Sequence, residues 1–192
     1  MDVGRPFAVF TAGGIGAGKT LMADLLCRHF VLVSLDADAI TAAVAARRPN
    51  RTHWASRPAA LHLLDRWQDK LIELRAPMLV NTTAADLGFV RLLQARLAQN
   101  GYRTAIIFVH SPLTDCIARN ALRDHPRPDA AVLATHRACT AHRDKLAAIF
   151  RHFQAITNLG DECAFTTQLG LRIIPWLQRL GIDRHQPKRA MI

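Results

Sequence analysis

The feature that most restricts the fold is the octapeptide Gly13-Gly14-Ile15-Gly16-Ala17-Gly18-Lys19-Thr20. It follows a short apolar run, Phe7-Ala8-Val9-Phe10, and opens a helical pattern, Leu21-Met22-Ala23-Asp24-Leu25-Leu26. Strand, glycine-rich turn and helix in that order give the match to G-x-x-x-x-G-K-[ST] its meaning, because the turn then lies at a helix N-terminus. Glycines let the backbone curl until successive N–H groups face one point, and the helix end adds partial positive charge there. The backbone of Gly13, Gly14, Ile15, Gly16, Ala17 and Gly18, with Lys19, Thr20 and Leu21, is therefore expected to cradle nucleotide phosphates. Lys19 would reach the β- and γ-phosphates, and Thr20 would set its hydroxyl on Mg²⁺. A glycine-rich turn beside a chance lysine is the plain alternative. The complete motif in its proper context outweighs it.

Further short apolar runs follow: Val31 to Leu35, Met78 to Val80, Ala105 to Val109 and, more weakly, Ala164 to Thr166. The first of these and the next two are the kind expected of strands buried on both faces. Between them lie stretches long enough for crossover helices. Over 84–99, apolar Leu87, Val90, Leu93 and Leu97 make a helical stripe, and Asn100-Gly101 supplies the stop. Alternating strands and helices predict an α/β fold with a mostly parallel sheet of about five strands. With 192 residues, half of them hydrophobic, one main domain is expected. In such sheets ligands sit beyond the carboxyl ends of the strands. The residues just after each run are thus the candidates for chemistry.

The second run ends in Asp36-Ala37-Asp38. Two carboxylates at the mouth of a buried strand are costly without partners or a task. One could orient the metal, and the other could take a proton from a hydroxyl attacking the γ-phosphate. Either could instead cap the following helix. The third run ends in Asn81-Thr82-Thr83, which could hold substrate hydroxyls or cap the next helix. The fourth ends in His110-Ser111-Pro112, before an expected helix with Arg119 and Arg123 and a loop with Arg127. A helix arginine and a loop arginine can together steady charge on a phosphoryl group in transfer. A solvated basic helix face is the alternative. Arg47 to Arg57 reads as a basic loop or short helical turn, and 182–192 as a frayed polar tail.

The formal net charge of +10 invites a nucleic-acid partner. Only four of the 25 basic residues are lysine, so the excess also fits an arginine-rich background. Cys27, Cys116, Cys139 and Cys163 form no CxxC pair and are expected to be small buried hydrophobes rather than zinc ligands. His136 and His142 read as surface residues. No apolar run approaches the roughly 20 residues that span a bilayer, and Met1 to Phe10 lacks the layout of a secretory signal. A cytoplasmic location is the expectation.

At this point the ordered set of motifs resembles the zeta toxin family of P-loop kinases. The carrying residues are Ala12 to Thr20, Asp36-Ala37-Asp38 with Ile40, Leu79 to Thr83, Asn100-Gly101-Tyr102, Pro112 and Arg123. The resemblance covers roughly 6–166. It implies a three-layer P-loop kinase fold over 1–170, with 171–192 a C-terminal helical extension and basic tail. It further implies transfer of the γ-phosphate of ATP or GTP, with Mg²⁺, to a hydroxyl of a small-molecule acceptor. In the family that acceptor is typically UDP-N-acetylglucosamine, and many members are toxins held by a protein antitoxin. Carried onto this chain, Lys19, Asp38, Arg123 and Arg127 would be catalytic, with Asp38 the general base. Asp36, Asn81 and Thr83 would bind substrate, and Thr20 the metal. The family often has an acid where this chain has Asn81, and an arginine where it has Ala85. Both concern the acceptor. A polynucleotide 5′-hydroxyl kinase and a non-catalytic nucleotide-binding protein are the competing readings.

Overall fold

The computed structural model describes residues 5–48, 50 and 52–182. Five strands, β1 (Phe7–Ala12), β2 (Val33–Asp36), β3 (Met78–Asn81), β4 (Arg103–His110) and β5 (His152–Thr157), form one sheet in the order β2-β3-β1-β4-β5. Every pairing is parallel. The connections run through α1 (Lys19–Phe30), α2 (Ala37–Ala46), α3 (His53–Glu73), α4 (Leu87–Gln99), α5 (Leu113–Ala121) and α6 (Asp129–Ile149). After β5 come α7 (Glu162–Gln168), a π turn (Leu169–Ile173) and α8 (Ile174–Arg179) in unbroken succession. Residue 170 lies within that run.

Successive strand residues point to opposite faces, so the sheet divides the core in two. Phe7, Val9, Ile107 and Val109 pack with Met22 and Leu26 of α1 and with Phe165, Ile173 and Leu177 near the C-terminal end of the described chain. Ala8, Phe10, Ile106 and Phe108 pack with Val90, Leu93 and Leu97 of α4 and Leu146 of α6. Helices thus cover both faces, the three-layer architecture expected. Burial of each large side chain contributes about 1.5–3 kcal/mol.

Several expectations need correction. The weak fifth run is not a strand: Ala164 to Thr166 lie in α7, where Asp161 accepts the N–H of Ala164 and Glu162 occupies the first turn. The fifth strand is β5, an edge strand. Its mixture of His152, Gln154 and Thr157 with Phe153 and Ile156 hides it from a search for continuous apolar runs. The expected strand at Val31 begins only at Val33, because Val31 ends α1 with φ 54°. Val33 and Ser34 are exposed, as β2 is the other edge. The helix expected over 84–99 starts at Leu87, with Asp86 as its N-cap.

The basic segment is not a loop throughout. Arg47 ends α2, and His53 to Arg57 form the first turns of the 21-residue α3. Pro49 and Arg51 lie outside the described residues, as does all of the tail beyond Ile182. Cys163 is exposed and Cys27 half-buried, while Cys116 and Cys139 are buried. His136 and His142 are not surface residues. Both are half-buried because their rings dock α6 onto strand-end carbonyls, His136 Nε2 on Ser111 O at 3.0 Å and His142 Nδ1 on Ala84 O at 3.1 Å. Among the described residues no helix is long and apolar enough to cross a membrane.

Candidate active site

The glycine-rich turn links the carboxyl end of β1 to α1 beside β3 and β4. Its glycines are required by contact as well as by conformation. Gly13 and Gly16 have φ of 144° and 80°. A Cβ at Gly13 would strike the Val109 carbonyl, and one at Gly16 the Cys116 carbonyl. Gly18, at φ 101°, ends the turn, and the α1 N-terminus that follows carries no side-chain cap. Its free N–H groups face the turn, which suits an anion. Lys19 is buried and donates to Gly14 O at 2.8 Å. Burial pushes its pKa down to about 8. Thr20 is exposed at the first turn of α1, Ile15 and Leu21 are half-buried, and Ala17 is buried.

Asp36, Asn81 and Thr11 lie side by side on β2, β3 and β1 by register. Thr11 Oγ1 donates to Asn81 Oδ1 at 2.8 Å, and Asn81 Nδ2 donates to Asp36 Oδ2. The other Asp36 oxygen accepts the N–H groups of Asp38 and Ala39 at 2.8 and 3.2 Å. Asp36 is therefore the N-cap of α2. The amide at 81 accepts from Thr11 and donates to Asp36 at once, which a carboxylate there could do only when protonated. Thr83 is half-buried and turns its hydroxyl to the Ala85 N–H at 3.3 Å, while its carbonyl accepts from Gly13 N at 3.4 Å.

Asp38 is the focus of the basic residues. Arg57 Nη1 lies 2.7 Å from its Oδ1, Arg127 Nη2 3.5 Å from the same oxygen, and Arg123 Nη1 3.7 Å from Oδ2. Burial alone would raise the Asp38 pKa. The hydrogen bond and charge of Arg57, then Arg127 and Arg123, outweigh it and hold the carboxyl below its ordinary value. Arg123 sits just past the end of α5 rather than on it, and its charge reaches Lys19 too. Buried Asn120 fixes the loop behind it, donating to Arg127 O and accepting from Arg127 N at 2.8 and 3.1 Å. Trp54 lies 3.7 Å beneath the Arg127 guanidinium, and the His53 and His125 rings stack at 4.1 Å. Asp38, His53, Trp54, Arg123 and His125 line a cleft of about 320 Å³.

The structure thus brings Lys19, Asp38, Arg123 and Arg127 to one region and gives Asp36 and Asn81 internal partners. Arg119 lies apart from the Asp38 cluster and donates from Nε to Gly16 O at 2.7 Å. Sequence reasoning missed Arg57 as a partner of Asp38, although it lay in the basic segment, and missed His53, His125, Asn120 and Asn158. Only the polarity of Asn158 at a strand end could have signalled it, and that strand went unrecognised.

Among the described residues no group of three or more His, Cys, Asp or Glu side chains could hold a metal. A divalent ion would need phosphate oxygens as ligands beside Thr20. That suits Mg²⁺, which is commonly bound through few protein groups plus substrate phosphates. The exposed Thr20 at the mouth of the turn fits such a role.

Comparison with solved structures gives the same fold in kinases. The PezAT toxin–antitoxin system of Streptococcus pneumoniae matches with 17% identity and a TM-score of 0.61, over 96% of this chain and 87% of that one. A gluconokinase from Sinorhizobium meliloti 1021 matches with 16% identity and a TM-score of 0.57, over 92% and 94%. AvrRxo1-ORF1:-ORF2, solved with ATP, matches with 14% identity and a TM-score of 0.63, over 77% and 51%. At these identities the likeness is one of fold. No curated protein matches the sequence significantly. The family model described as an AAA domain matches residues 9–146, from β1 to near the end of α6. That is more than half of the chain, which therefore belongs to the AAA domain family.

Proposed function

We propose that this chain is a phosphotransferase that moves the γ-phosphate of ATP or GTP to a hydroxyl of a small-molecule acceptor lying over Asp38. The observation that carries the reading is the three-arginine cluster on the Asp38 carboxylate, with the charge of Arg123 also felt at the phosphate lysine. A protein that only binds nucleotide has no need of that arrangement. The acceptor oxygen would form its bond to the γ-phosphorus as the bond to the β–γ bridging oxygen breaks, and ADP or GDP would leave. Asp38 would orient the hydroxyl and take its proton. A loose transition state asks more of orientation than of basicity. Arg123 and Lys19 would hold the charge on the moving group, and Mg²⁺ bound with the nucleotide would neutralise part of it beside Thr20.

Asp38 is held ionised by its arginines. An acceptor with its own anionic group would draw Arg57 and Arg127 from the carboxylate and raise its proton affinity. This favours a sugar nucleotide, UDP-N-acetylglucosamine among them, with Trp54, His53 and His125 as its apolar wall. Zeta-toxin-like kinase activity, with a protein antitoxin as partner in the cytoplasm, is the setting this reading supplies. The PezAT likeness supports it. Asn81 and Ala85 leave acceptor choice to α3 and the 122–128 loop rather than to Asp36 and Asn81. Exposed Trp54 on Arg127 also favours a second reading, a 5′-hydroxyl kinase stacking a terminal base.

The test is transfer of label from [γ-³²P]ATP to sugar nucleotides, nucleosides and 5′-hydroxyl oligonucleotides. Sugar-nucleotide labelling is expected, abolished by Lys19→Ala and Asp38→Ala, with Asp38→Ala still binding ATP. Undiminished transfer by Asp38→Ala would remove that residue from the mechanism. Label on oligonucleotides alone would move the acceptor to the second reading.

A further inference from the structure

The kinase reading does not use the buried polar network behind the phosphate turn. Gly16 O accepts from Arg119 Nε at 2.7 Å, and the next carbonyl, Ala17 O, accepts from Asn158 Nδ2 at 3.0 Å. The two donors are tied to one hydroxyl. Ser111 Oγ accepts from Arg119 Nη2 and donates to Asn158 O at 2.8 Å. Ser111 and Asn158 are 2% and 5% exposed. His136 Nε2 lies 3.0 Å from Ser111 O, and its ring backs onto Gly14. Asn158 is itself fixed, its N–H donating to His110 O at 2.8 Å and its Oδ1 accepting from Gly160 N at 3.1 Å.

A phosphate turn works by aiming consecutive N–H groups inward, which sends the intervening carbonyls outward. A peptide plane in a glycine-rich segment flips easily, and a flip would aim a carbonyl oxygen at the phosphates. Here the Gly16 and Ala17 carbonyls are each held by a side chain, Arg119 from the last turn of α5 with a charged donor and Asn158 from just past β5, while the Ala17 N–H donates back to Gly14 O at 3.1 Å. We propose that Arg119 and Asn158, joined through Ser111, are positioning residues. They lock the Gly16 and Ala17 peptides so that the turn accepts phosphate in a fixed geometry, without themselves touching the nucleotide.

The experiment is equilibrium binding of two probes, ATP and inorganic tripolyphosphate, each with Mg²⁺. The proteins are wild type, Arg119→Ala, Arg119→Lys, Asn158→Asp and Ser111→Ala, with thermal unfolding of each unliganded protein alongside. Loss of one charged or buried hydrogen bond to the turn is expected to weaken both probes about tenfold. The loss should be equal for the two, and Arg119→Lys should recover part of it. The acceptor KM should be unchanged wherever transfer is measured. Weakening of ATP alone, with tripolyphosphate unaffected, would make Arg119 a nucleoside contact and overturn the proposal. So would wild-type affinity for both probes in Arg119→Ala and Asn158→Asp. If one variant does not fold, Ser111→Ala, which removes only the bridging hydroxyl, carries the same comparison. The proposal rests on the phosphate-binding half of the kinase reading. A wild type that binds tripolyphosphate but transfers to no acceptor would defeat the kinase reading and leave this one standing.

Discussion

Lys19 shows how far a single side chain can be reasoned about. Its burial lowers the pKa to about 8, and its ammonium group donates to Gly14 O at 2.8 Å. Phosphates arriving at the turn favour the ammonium form, so the bound state keeps the proton that the free state loses above pH 8. Nucleotide affinity should therefore be level from pH 6.5 to 7.5 and fall as pH rises through about 8, approaching tenfold per unit, with uptake of one proton on binding. Titration calorimetry in buffers of different ionisation enthalpy checks both parts. Affinity independent of pH up to 9.5 would mean that Lys19 is not the residue meeting the phosphates. The placement of Lys19 against the glycine-rich turn is readable in the sequence because its partner Gly14 is a neighbour in the chain. The surroundings of Asp38 are readable only in part. Arg57 lies 19 residues away, and its 2.7 Å contact depends on α3 folding back beside α2. Asn81 is expected to contact substrate, and no local signal says that its amide also bonds Asp36 and Thr11.

At the scale of elements, legibility followed the continuity of apolar residues. β1, β3 and β4 lie inside the sheet, are covered on both faces and read as apolar runs. β2 and β5 are edges. β5 alternates and was missed, and with it went Asn158, since strand ends were where functional residues were sought. The first turn of α3 falls in the segment expected to be a basic loop or short helical turn, because Pro58 and the arginines mask the start of so long a helix. Thr52 reveals it, accepting the Ala55 N–H at 3.2 Å. That cap holds the turn bearing His53, Trp54 and Arg57 against Asp38. Thr52→Ala should cost about 1 kcal/mol of stability in urea unfolding. By fraying this turn it should also raise the acceptor KM severalfold while leaving ATP binding unchanged. An equal loss of both affinities would show that the turn does not belong to the acceptor side.

For the molecule as a whole, the question is what a charge of +10 is for. Three arginines are turned inward on Asp38, and Arg119 on the phosphate turn. Part of the excess thus serves phosphate handling at one site rather than a broad surface. The turn touches the ends of β3 and β4, the start of α5, α6 and Asn158, so a ligand there braces both halves of the core. MgATP at one hundred times its Kd should then stabilise the fold by about 2.7 kcal/mol. In a chain of this size that raises Tm by roughly 5–10 °C. Lys19→Ala should lose the shift. A protein built to bind a polynucleotide through six to ten phosphates would lose about 10³–10⁵ in affinity between 50 and 200 mM salt. The small-molecule reading expects the ATP-induced shift to survive that change nearly intact. An oligonucleotide that raises Tm more than ATP at 50 mM salt, and loses its effect at 200 mM, would return the charge to a nucleic-acid surface.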